Sequence, residues 1–380
     1  MNAGRKNSHC TCTHLVGGNC RKVASHLLLT GSTGTIGRRW LPLLLAANES
    51  RYITVLVRDP DHALKHARVK TVTGDLRTQQ LGLDRASWDA LAKTITEIVH
   101  CAADIRFNRS IQEARAVNTV GTRTMLRLAR EAKRLERFAH LSTTYVMGRD
   151  AGELPEREYG NSAGFINTYE QAKYEAEGEA FAAMPDIPAA VFRLSSVAGT
   201  QTNYFHQALR LIPRNPFPLM PGVAGCRIDL ISEVWAAATL SHLFERHFRA
   251  GAVYHVCAGP TGSIPVGTLV EMAFAVMGVE RPPAMVPLKE FERFTAHLLG
   301  NGAREPIKAM LRSVSSFLPH LAIDQTFQNA NTMAVLKDDD ISPADSSEVV
   351  RDVLARLSGH AGTSEPVDTV KLPPNTGPAV

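Results

Sequence analysis

A tyrosine and a lysine four positions apart are the residues of this chain best suited to acid–base chemistry. Tyr169 and Lys173 lie in "NTYEQAKYEAE", and this spacing places both side chains on one face of a predicted helix. A free phenol has a pKa of about 10 and exchanges protons poorly at neutral pH. A neighbouring ammonium favours the phenolate and brings that pKa closer to the working range. The pair therefore predicts a lysine-assisted tyrosine that transfers a proton, although an amphipathic helix with an exposed lysine has the same spacing.

Hydroxyl side chains precede this helix in "HLSTTYVMG", at the end of a predicted strand. They belong to Ser142, Thr143 and Thr144. A tyrosine that protonates a carbonyl oxygen works best beside a second donor that holds the same oxygen. We expect this segment to supply that donor, and we expect Thr144 and Tyr145 to contact the substrate.

A glycine-rich turn lies near the start of the chain, between an apolar strand and a helix. Gly31, Gly34 and Gly37 form G-x-x-G-x-x-G in "HLLLTGSTGTIGRRW". The first glycine permits a tight turn, the second lets the backbone approach a pyrophosphate, and the third allows close helix–strand packing. The free amides and positive dipole at the start of the helix attract phosphate. The alternative is a purely structural turn. The dinucleotide contacts that we predict here are Gly31, Thr33, Gly34, Thr35, Ile36, Gly37 and Arg38.

The following strands end in groups suited to the adenosine half of a dinucleotide. Arg58 ends the second predicted strand, where a cation suits the 2′-phosphate of NADP and an acidic residue suits the ribose of NAD. Asp59 comes next, so we predict NADPH and leave NADH open. Asp75 is a candidate acceptor for the adenine amino group, or else an ordinary turn residue. The contacts predicted at these strand ends are Arg58, Asp75, Leu76, Ala102 and Ala103.

Apolar, β-rich runs alternate with helical patterns through the first half of the chain. This alternation predicts an α/β fold with a doubly wound parallel sheet of the Rossmann type and right-handed crossovers. After Gly199 the sequence is rich in proline and glycine and then mainly helical, which predicts a smaller, mostly helical C-terminal substrate region. The strands predicted for the sheet are 23–29, 52–58, 68–76, 97–103, 137–143, 189–197 and 252–259. The predicted parts are a flexible leader (1–22), an NADP-binding Rossmann domain (23–200, with 226–258 returning to it), a substrate-binding region (201–225 and 259–357) and a disordered tail (358–380).

Composition argues against several classes of protein. The chain has 380 residues and a net charge of +5, without a basic block interleaved with aromatic residues, so we predict no nucleic-acid partner. No apolar run reaches the roughly 18–20 residues of a membrane span, and the chain start lacks the apolar core of a signal peptide. We therefore predict a cytoplasmic protein without an integral membrane segment. The histidines and cysteines between His9 and Cys20 lack paired zinc spacing, so we predict no metal. The oligomeric state stays open, a homodimer included.

The order of these motifs resembles the extended short-chain dehydrogenase/reductase family. The glycine turn, "GDL", "HCAAD", "NTVGT", "LSTTYVMG", the Tyr–Lys pair and "FRLSSVAG" follow that family's order over about residues 27–200. The resemblance implies a Rossmann fold and a nicotinamide cofactor. It assigns the catalytic hydroxyl to Thr143, with Ser142 as the near competitor, and it assigns proton transfer to Tyr169. It also implies that Lys173 binds the nicotinamide ribose. In "FRLSSVAG" it implies cofactor contacts from Leu194 and Ser196.

Within that family, the likeness is to the thioester-reductase and fatty acyl-CoA reductase branch. "TVLVRD", "VHCAADIRFN", "FAHLSTTYVMG", "RIDLISEVWAAA" and "VYHVCAG" resemble segments of that branch, and "FQNAN" does so faintly, with Gln328 where an aspartate is expected. The resemblance implies NADPH-dependent reduction of an acyl thioester, bound to CoA or to a carrier protein that is met in trans, to an aldehyde or alcohol. Phe107 is the expected acyl contact. The residues that form either an acyl pocket or ordinary core are Phe205, Phe217, Leu219 and Met220.

Three other functions remain open at this stage. A ketoreductase or alcohol dehydrogenase acting on a sterol-like or polyketide substrate would use the same catalytic residues. An NDP-sugar epimerase would hold NAD tightly and show no net turnover of it. A regulator that senses NADP without turnover is disfavoured by the intact Tyr–Lys pair, since sensing needs no acid–base group.

Overall fold

A computed structural model describes residues 25–199, 217–276, 282–300, 304–338 and 341–357, and the single positions 209, 278 and 302. The strands are β1 (His26–Thr30), β2 (Tyr52–Val57), β3 (Val69–Thr73), β4 (Glu97–His100), β5 (Arg137–Thr143), β6 (Gly152–Leu154), β7 (Ala189–Leu194), β8 (Ser196–Ala198), β9 (Leu219–Pro221), β10 (Arg227–Ile228), β11 (Leu230–Ser232), β12 (Val253–Val256), β13 (Ile264–Pro265), β14 (Ala284–Val286) and β15 (Gln325–Phe327). The helices are α1 (Thr35–Ala47), α2 (Arg85–Thr94), α3 (Ile111–Glu131), α4 (Thr168–Ala183), α5 (Glu233–Arg246), α6 (Gly259–Gly262), α7 (Val266–Val276), α8 (Leu288–Gly300), α9 (Glu305–Val314), α10 (Ala330–Asp338) and α11 (Ser346–Leu357).

Seven strands form a parallel sheet in the order β12-β7-β5-β4-β1-β2-β3. The chain moves outward in one direction from β1 to β3 and then in the other direction from β4, so β1 and β4 flank the point where the winding reverses. Open α/β sheets bind ligands at the carboxyl ends of the strands beside such a point. The predicted α/β, doubly wound Rossmann-type fold is confirmed.

The central strands are buried along almost their whole length because helices cover both faces of the sheet. In β1, Leu27 and Leu29 pack in one core with Trp40 of α1, whereas Leu28 packs in the opposite core with Trp88 of α2. Successive side chains of a strand point to opposite faces. A continuous apolar run is therefore what a strand in the middle of three layers requires.

Helix α4, which carries the Tyr–Lys pair, approaches the sheet through small side chains. Its alanines at 172, 176, 180 and 183 are fully buried. At its start, Asn167 is the N-cap and its side chain accepts from the Glu170 amide. The alanine face lets the helix lie close to β5, and the cap fixes the helix start. Both features position Tyr169 relative to the strand that ends in Thr143.

The structure corrects the sixth predicted strand. The segment 189–197 is divided into β7, which belongs to the main sheet, and β8, which pairs with β11 in a separate two-stranded sheet. The chain leaves the main sheet at Ser195 and follows a new direction toward the C-terminal region. Sequence periodicity does not report such a change, because both short strands are equally β-rich.

The C-terminal part of the chain has a core of its own. Residues of α7, α11 and the strands β10 and β11 form a second apolar cluster with Phe317 and Leu321. The predicted leader (1–22), the tail (358–380) and positions 201–216 of the predicted substrate-binding region lie largely or wholly outside the described residues. The domain boundaries stay predictions. Within the described part of the chain, no helix is both long and apolar enough to span a bilayer.

Candidate active site

A groove of about 760 Å³ runs along the carboxyl ends of the central strands. It begins at the glycine turn after β1 and passes the ends of β2, β3 and β4. It then continues past the ends of β5 and β7 to the start of α4. The C-terminal region contributes Phe317 and His320 to its wall. One continuous cleft therefore brings together residues that lie far apart in the sequence.

The glycine turn forms a backbone cradle at the start of α1. Gly31 has φ +77°, and a Cβ there would lie 2.7 Å from the Ala102 amide nitrogen. A Cβ on Gly37 would lie 2.1 Å from the Gly31 carbonyl oxygen, so Gly37 packs beneath the turn and is absent from the groove lining. Gly34 is the N-cap of the 13-residue α1 and offers no side chain to its first amides. This cradle fits the phosphates of a dinucleotide, since backbone amides face the groove where any side chain would fill the space. The predicted contacts that do line the groove here are Gly31, Thr33, Gly34, Thr35 and Ile36.

The structure corrects the predicted role of Arg38. Its guanidinium forms an ion pair with Glu233 at 2.9 Å, and Arg38 is not part of the groove lining. Arg39 pairs with the same carboxylate at 2.8 Å. Glu233 is buried on α5, so the two arginines tie α1 to α5. The buried carboxylate, which the sequence could not place, turns Arg38 away from phosphate binding.

Two cations lie at the end of the groove that suits adenosine. Arg58 directly follows β2 and is an exposed residue of the groove lining, to which Arg77 also belongs. The Arg77 guanidinium donates to both carboxylate oxygens of Asp75 and lowers the pKa of that carboxyl, with a smaller Coulombic contribution from Arg58. Asp75 lies in the groove as predicted, but Arg77 already engages the oxygens that we expected to meet adenine. The other contacts predicted at the strand ends, Leu76, Ala102 and Ala103, all line the groove.

Thr143 and Tyr169 meet at the other end of the groove. Thr143 and Tyr169 both line the groove, and the Thr143 hydroxyl is close enough to lower the pKa of the Tyr169 phenol. Thr143 also accepts from the Tyr145 amide at 3.2 Å. The Ser142 hydroxyl, its competitor in the sequence, is buried without a hydrogen-bond partner among the described residues. Tyr169 keeps part of its surface exposed, but burial raises the pKa of its phenol, and the Thr143 hydroxyl lowers that pKa by a smaller amount. The phenol is thus held in its protonated form beside a second hydroxyl.

Lys173, one helical turn after Tyr169 on α4, is buried. Its ammonium donates to the Leu141 carbonyl of β5 at 2.6 Å, and burial lowers its pKa to about 8, against a raising influence from Glu177. The expected lowering of the phenol pKa by this ammonium is not found, because the groups acting on Tyr169 are its burial, Thr143 and Glu170. Lys173 is nevertheless part of the groove lining with Tyr169.

The predicted substrate contacts fall into two groups. Phe107 and Tyr145 line the groove; the Phe107 ring lies 5.6 Å from the Tyr169 ring, and the Tyr145 hydroxyl is 2.8 Å from the Ser196 hydroxyl. The prediction for Thr144 is wrong, because this residue is fully buried at the start of a 3₁₀ turn (Thr144–Met147) and does not reach the groove. Leu194 and Ser196, implied as cofactor contacts, line the groove.

The larger apolar residues considered for an acyl pocket belong mainly to the cores. Phe217 and Leu219 pack with Phe291 and its neighbours, and Met220 packs in the C-terminal core. None of these three is part of the groove lining. Phe205 lies outside the described residues. The apolar wall of the groove instead includes Phe317, which no sequence pattern had indicated, since it lies in an irregular segment without a recognisable motif.

Known protein sequences are similar to parts of this chain. A model of the NAD-binding family described as male sterility protein matches residues 29–214. Fatty acyl-CoA reductase 1 of Xenopus laevis is 31% identical over 148 residues, which are 32% of this chain and 28% of that relative. The aligned part thus covers less than a third of that relative's length.

Solved structures of reductase domains share the fold over most of the chain. The terminal R domain from the myxalamid PKS-NRPS biosynthetic pathway has a TM-score of 0.72 at 20% identity, covering 91% of this chain and 94% of that one. A thiolation-reductase di-domain from an archaeal non-ribosomal peptide synthetase has a TM-score of 0.65 at 17% identity, covering 89% of this chain and 76% of that one. At these identities the likeness shows the fold, including the C-terminal region outside the family match.

We expect the Gly31→Ala variant to lose binding of a nicotinamide dinucleotide. The new methyl group would meet the Ala102 backbone and strain a residue at φ +77°, at a cost of about 1–3 kcal/mol in the free energy of unfolding. The matched control is Gly178→Ala, in α4, where a Cβ meets nothing within 4 Å and where alanine should add about 0.5–1 kcal/mol. Urea denaturation and fluorescence titration with NADPH measure the two effects. Unchanged binding by Gly31→Ala would argue against the phosphate cradle.

Proposed function

We propose that this chain is a member of the extended short-chain dehydrogenases/reductases, in the branch of the thioester reductases and fatty acyl-CoA reductases. In this proposal it reduces acyl thioesters with NADPH. Its class is that of an NAD(P)-dependent oxidoreductase. The observation that carries the proposal is the continuity of one groove from the glycine cradle to Thr143 and Tyr169. A dinucleotide phosphate at one end and a protonated phenol at the other are the two parts that a carbonyl reduction needs.

A bound nicotinamide would supply a hydride to the carbonyl carbon. The protein must then stabilise and protonate the carbonyl oxygen. The Tyr169 phenol is the proton donor, since its raised pKa keeps it protonated at neutral pH. The Thr143 hydroxyl holds the same oxygen and orients the phenol. Lys173, fixed to β5 through the Leu141 carbonyl, supplies positive charge below the pair and a donor for the ribose.

The substrate class rests on the relatives and on the apolar end of the groove. The matched relative is named a fatty acyl-CoA reductase, and one of the similar structures joins a thiolation domain to a reductase. Phe107, Tyr145 and Phe317 give the groove an apolar wall near Tyr169. We propose an acyl chain bound there as a thioester of CoA or of a carrier protein, with an aldehyde as the first product and an alcohol after a second reduction.

The test of this function is the release of thiol. With NADPH and an acyl-CoA or acyl-carrier substrate, we expect one free thiol for each NADPH oxidised if the aldehyde is released, and one for every two if it is reduced further to the alcohol. Tyr169→Phe should lower kcat about 10²–10⁴-fold while NADPH still binds, because only the proton donor is removed. Tyr174→Phe is the matched control, since its hydroxyl accepts from the Asn161 amide outside the groove. Turnover of ketones without any thiol release would replace this proposal with a ketoreductase, and full activity of Tyr169→Phe would remove the tyrosine from the mechanism.

The preference for NADPH is proposed from the two cations at the adenosine end. We expect Arg58→Ala to weaken NADPH binding about 10–100-fold, since a charge-assisted hydrogen bond contributes about 1.5–3 kcal/mol, and to leave NADH binding almost unchanged. The control is Arg85→Ala, an exposed arginine that pairs with Asp89 away from the groove. Titrations of both cofactors measure the ratio. Equal losses for NADPH and NADH would contradict a 2′-phosphate contact.

The buried ammonium predicts a pH dependence. Since burial lowers the pKa of Lys173 to about 8, the free enzyme loses this charge as pH rises through that value, and kcat/KM should fall with it. The stability trend is opposite: the unfolded chain holds this proton up to about pH 10.5, so the contribution of Lys173 to folding becomes more favourable from about pH 8 to 10.5. Lys173→Arg should move the fall in kcat/KM to higher pH, because a guanidinium stays charged. A fall that is identical in this variant would assign the titration to another group.

A further inference from the structure

A buried histidine of the C-terminal region lies in the wall of the groove. His320 is 3% exposed and lines the same groove as Thr143 and Tyr169. Its ring packs against Tyr145 at a tilt of 58°, with centroids 4.5 Å apart, and its centroid lies 5.7 Å from that of the Phe317 ring. It is the titratable side chain that the C-terminal region contributes to the described lining of the groove.

A carboxylate next to the catalytic tyrosine orients this histidine. His320 Nε2 lies 3.0 Å from Glu170 Oε1, and both side chains are buried. Glu170 is itself fixed, because it accepts from the Ile166 amide at 2.9 Å and from the Asn167 side chain at 2.8 Å. Since Glu170 directly follows Tyr169, the ion pair links His320 to the start of the catalytic helix. With the carboxylate against Nε2, the other ring nitrogen, Nδ1, is buried without a hydrogen-bond partner among the described residues.

Within the part of the chain that the structure describes, the hydrogen-bonding capacity of this imidazole is not used. The contact with Glu170 has the distance of an ion pair but not the geometry of a regular hydrogen bond. Neither ring nitrogen of His320 has a hydrogen-bond partner among the described residues. Buried polar groups almost always have partners, and one that lacks them in the wall of a groove points to a ligand as the partner. A histidine placed this way can exchange a proton with that ligand.

We propose that His320, oriented by Glu170, donates a proton to the sulfur atom that leaves as a thiol when a thioester is reduced. This inference rests on the proposed function and names a further catalytic residue for it. Reduction of a thioester differs from reduction of a ketone or aldehyde in one requirement: a carbon–sulfur bond must break after the first reduction. Tyr169 and Thr143 act on the oxygen, so the sulfur needs a donor of its own.

The step balances without any further reactant. The hemithioacetal gives its hydroxyl proton back to the Tyr169 phenolate, and the electron pair of that O–H bond forms the carbonyl of the aldehyde. The carbon–sulfur bond breaks, and the sulfur takes its electron pair together with a proton from His320 Nδ1. Solvent then returns a proton to His320 once the thiol has left. No electron is gained or lost in this step, because the reduction is already complete.

Other acids of the groove are less suited to this role. The Tyr145 hydroxyl is engaged with Ser196, and burial raises its pKa. Burial also raises the pKa of the Cys101 thiol, to about 12. The Lys173 ammonium donates to the Leu141 carbonyl. His320 alone among these combines a carboxylate partner with an unused ring nitrogen.

The experiment compares two substrates in two variants. His320→Phe keeps a ring packed against Tyr145, and His320→Gln keeps a polar group facing Glu170. Neither substituted side chain can transfer a proton. We expect both to slow thioester reduction roughly ten- to hundredfold, less than the usual 10²–10⁴-fold effect of acid catalysis, because an alkyl thiolate is already a fair leaving group. Reduction of the free aldehyde with NADPH should change less than about threefold, since no bond to sulfur breaks. Aryl thioesters, whose thiols are more acidic, should restore most of the lost rate.

The possible outcomes separate this proposal from the one on which it rests. Thiol release by the native enzyme together with a selective loss in the variants supports both. Equal losses with thioester and aldehyde, or no loss with either, overturn the role of His320 and leave thioester reduction standing. Absence of thiol release from the native enzyme overturns both proposals. NADPH titration and thermal unfolding of each variant identify a loss that is due to misfolding, and the variant that folds then decides the question.

Discussion

The Lys173 ammonium is held by the Leu141 carbonyl of β5, 2.6 Å away, in a site with almost no access to water. Burying a charge is costly unless it is paired, and here one carbonyl and the nearby Glu177 carboxylate offset part of that cost. The contact also fixes α4 to β5, so the register that seats the ammonium is the register in which Tyr169 meets Thr143. The chemistry of the groove thus depends on how one helix is anchored to one strand.

A second buried network supports the contact between α4 and β5. Glu177, one turn after Lys173 on α4, pairs with Arg193 of β7, and Arg193 also contacts the His255 ring of β12. The His255 ring in turn contacts the Gln328 carbonyl in "FQNAN", and the Asn329 side chain donates to the Cys257 carbonyl. The segment that faintly resembled a reductase motif is therefore a structural connection between the C-terminal region and the main sheet. Its glutamine contributes a backbone oxygen, for which the identity of the side chain matters little.

Local patterns in the sequence predicted most of the fold and part of the site. The glycine turn, the strand ends at Arg58 and Ala102, and the Tyr169–Lys173 spacing are local features, and local geometry dictates their positions. Thr144 was mistaken for a groove residue because the chain turns at the end of β5, where alternation along a strand stops. Arg38 was misassigned because its partner, Glu233, comes from a helix almost two hundred positions away.

The sequence by itself determined the sheet, the phosphate cradle and the tyrosine–lysine pair, because hydrophobic periodicity and short motifs express backbone requirements that act within a few residues. The tertiary structure decided which hydroxyl faces the phenol, which arginines remain available to a phosphate, and which residues close the groove. His320 and Phe317 reach the groove only because the C-terminal region packs against the carboxyl edge of the sheet. Such contacts join residues with no fixed spacing, so they depend on the packing of whole elements rather than on any local pattern.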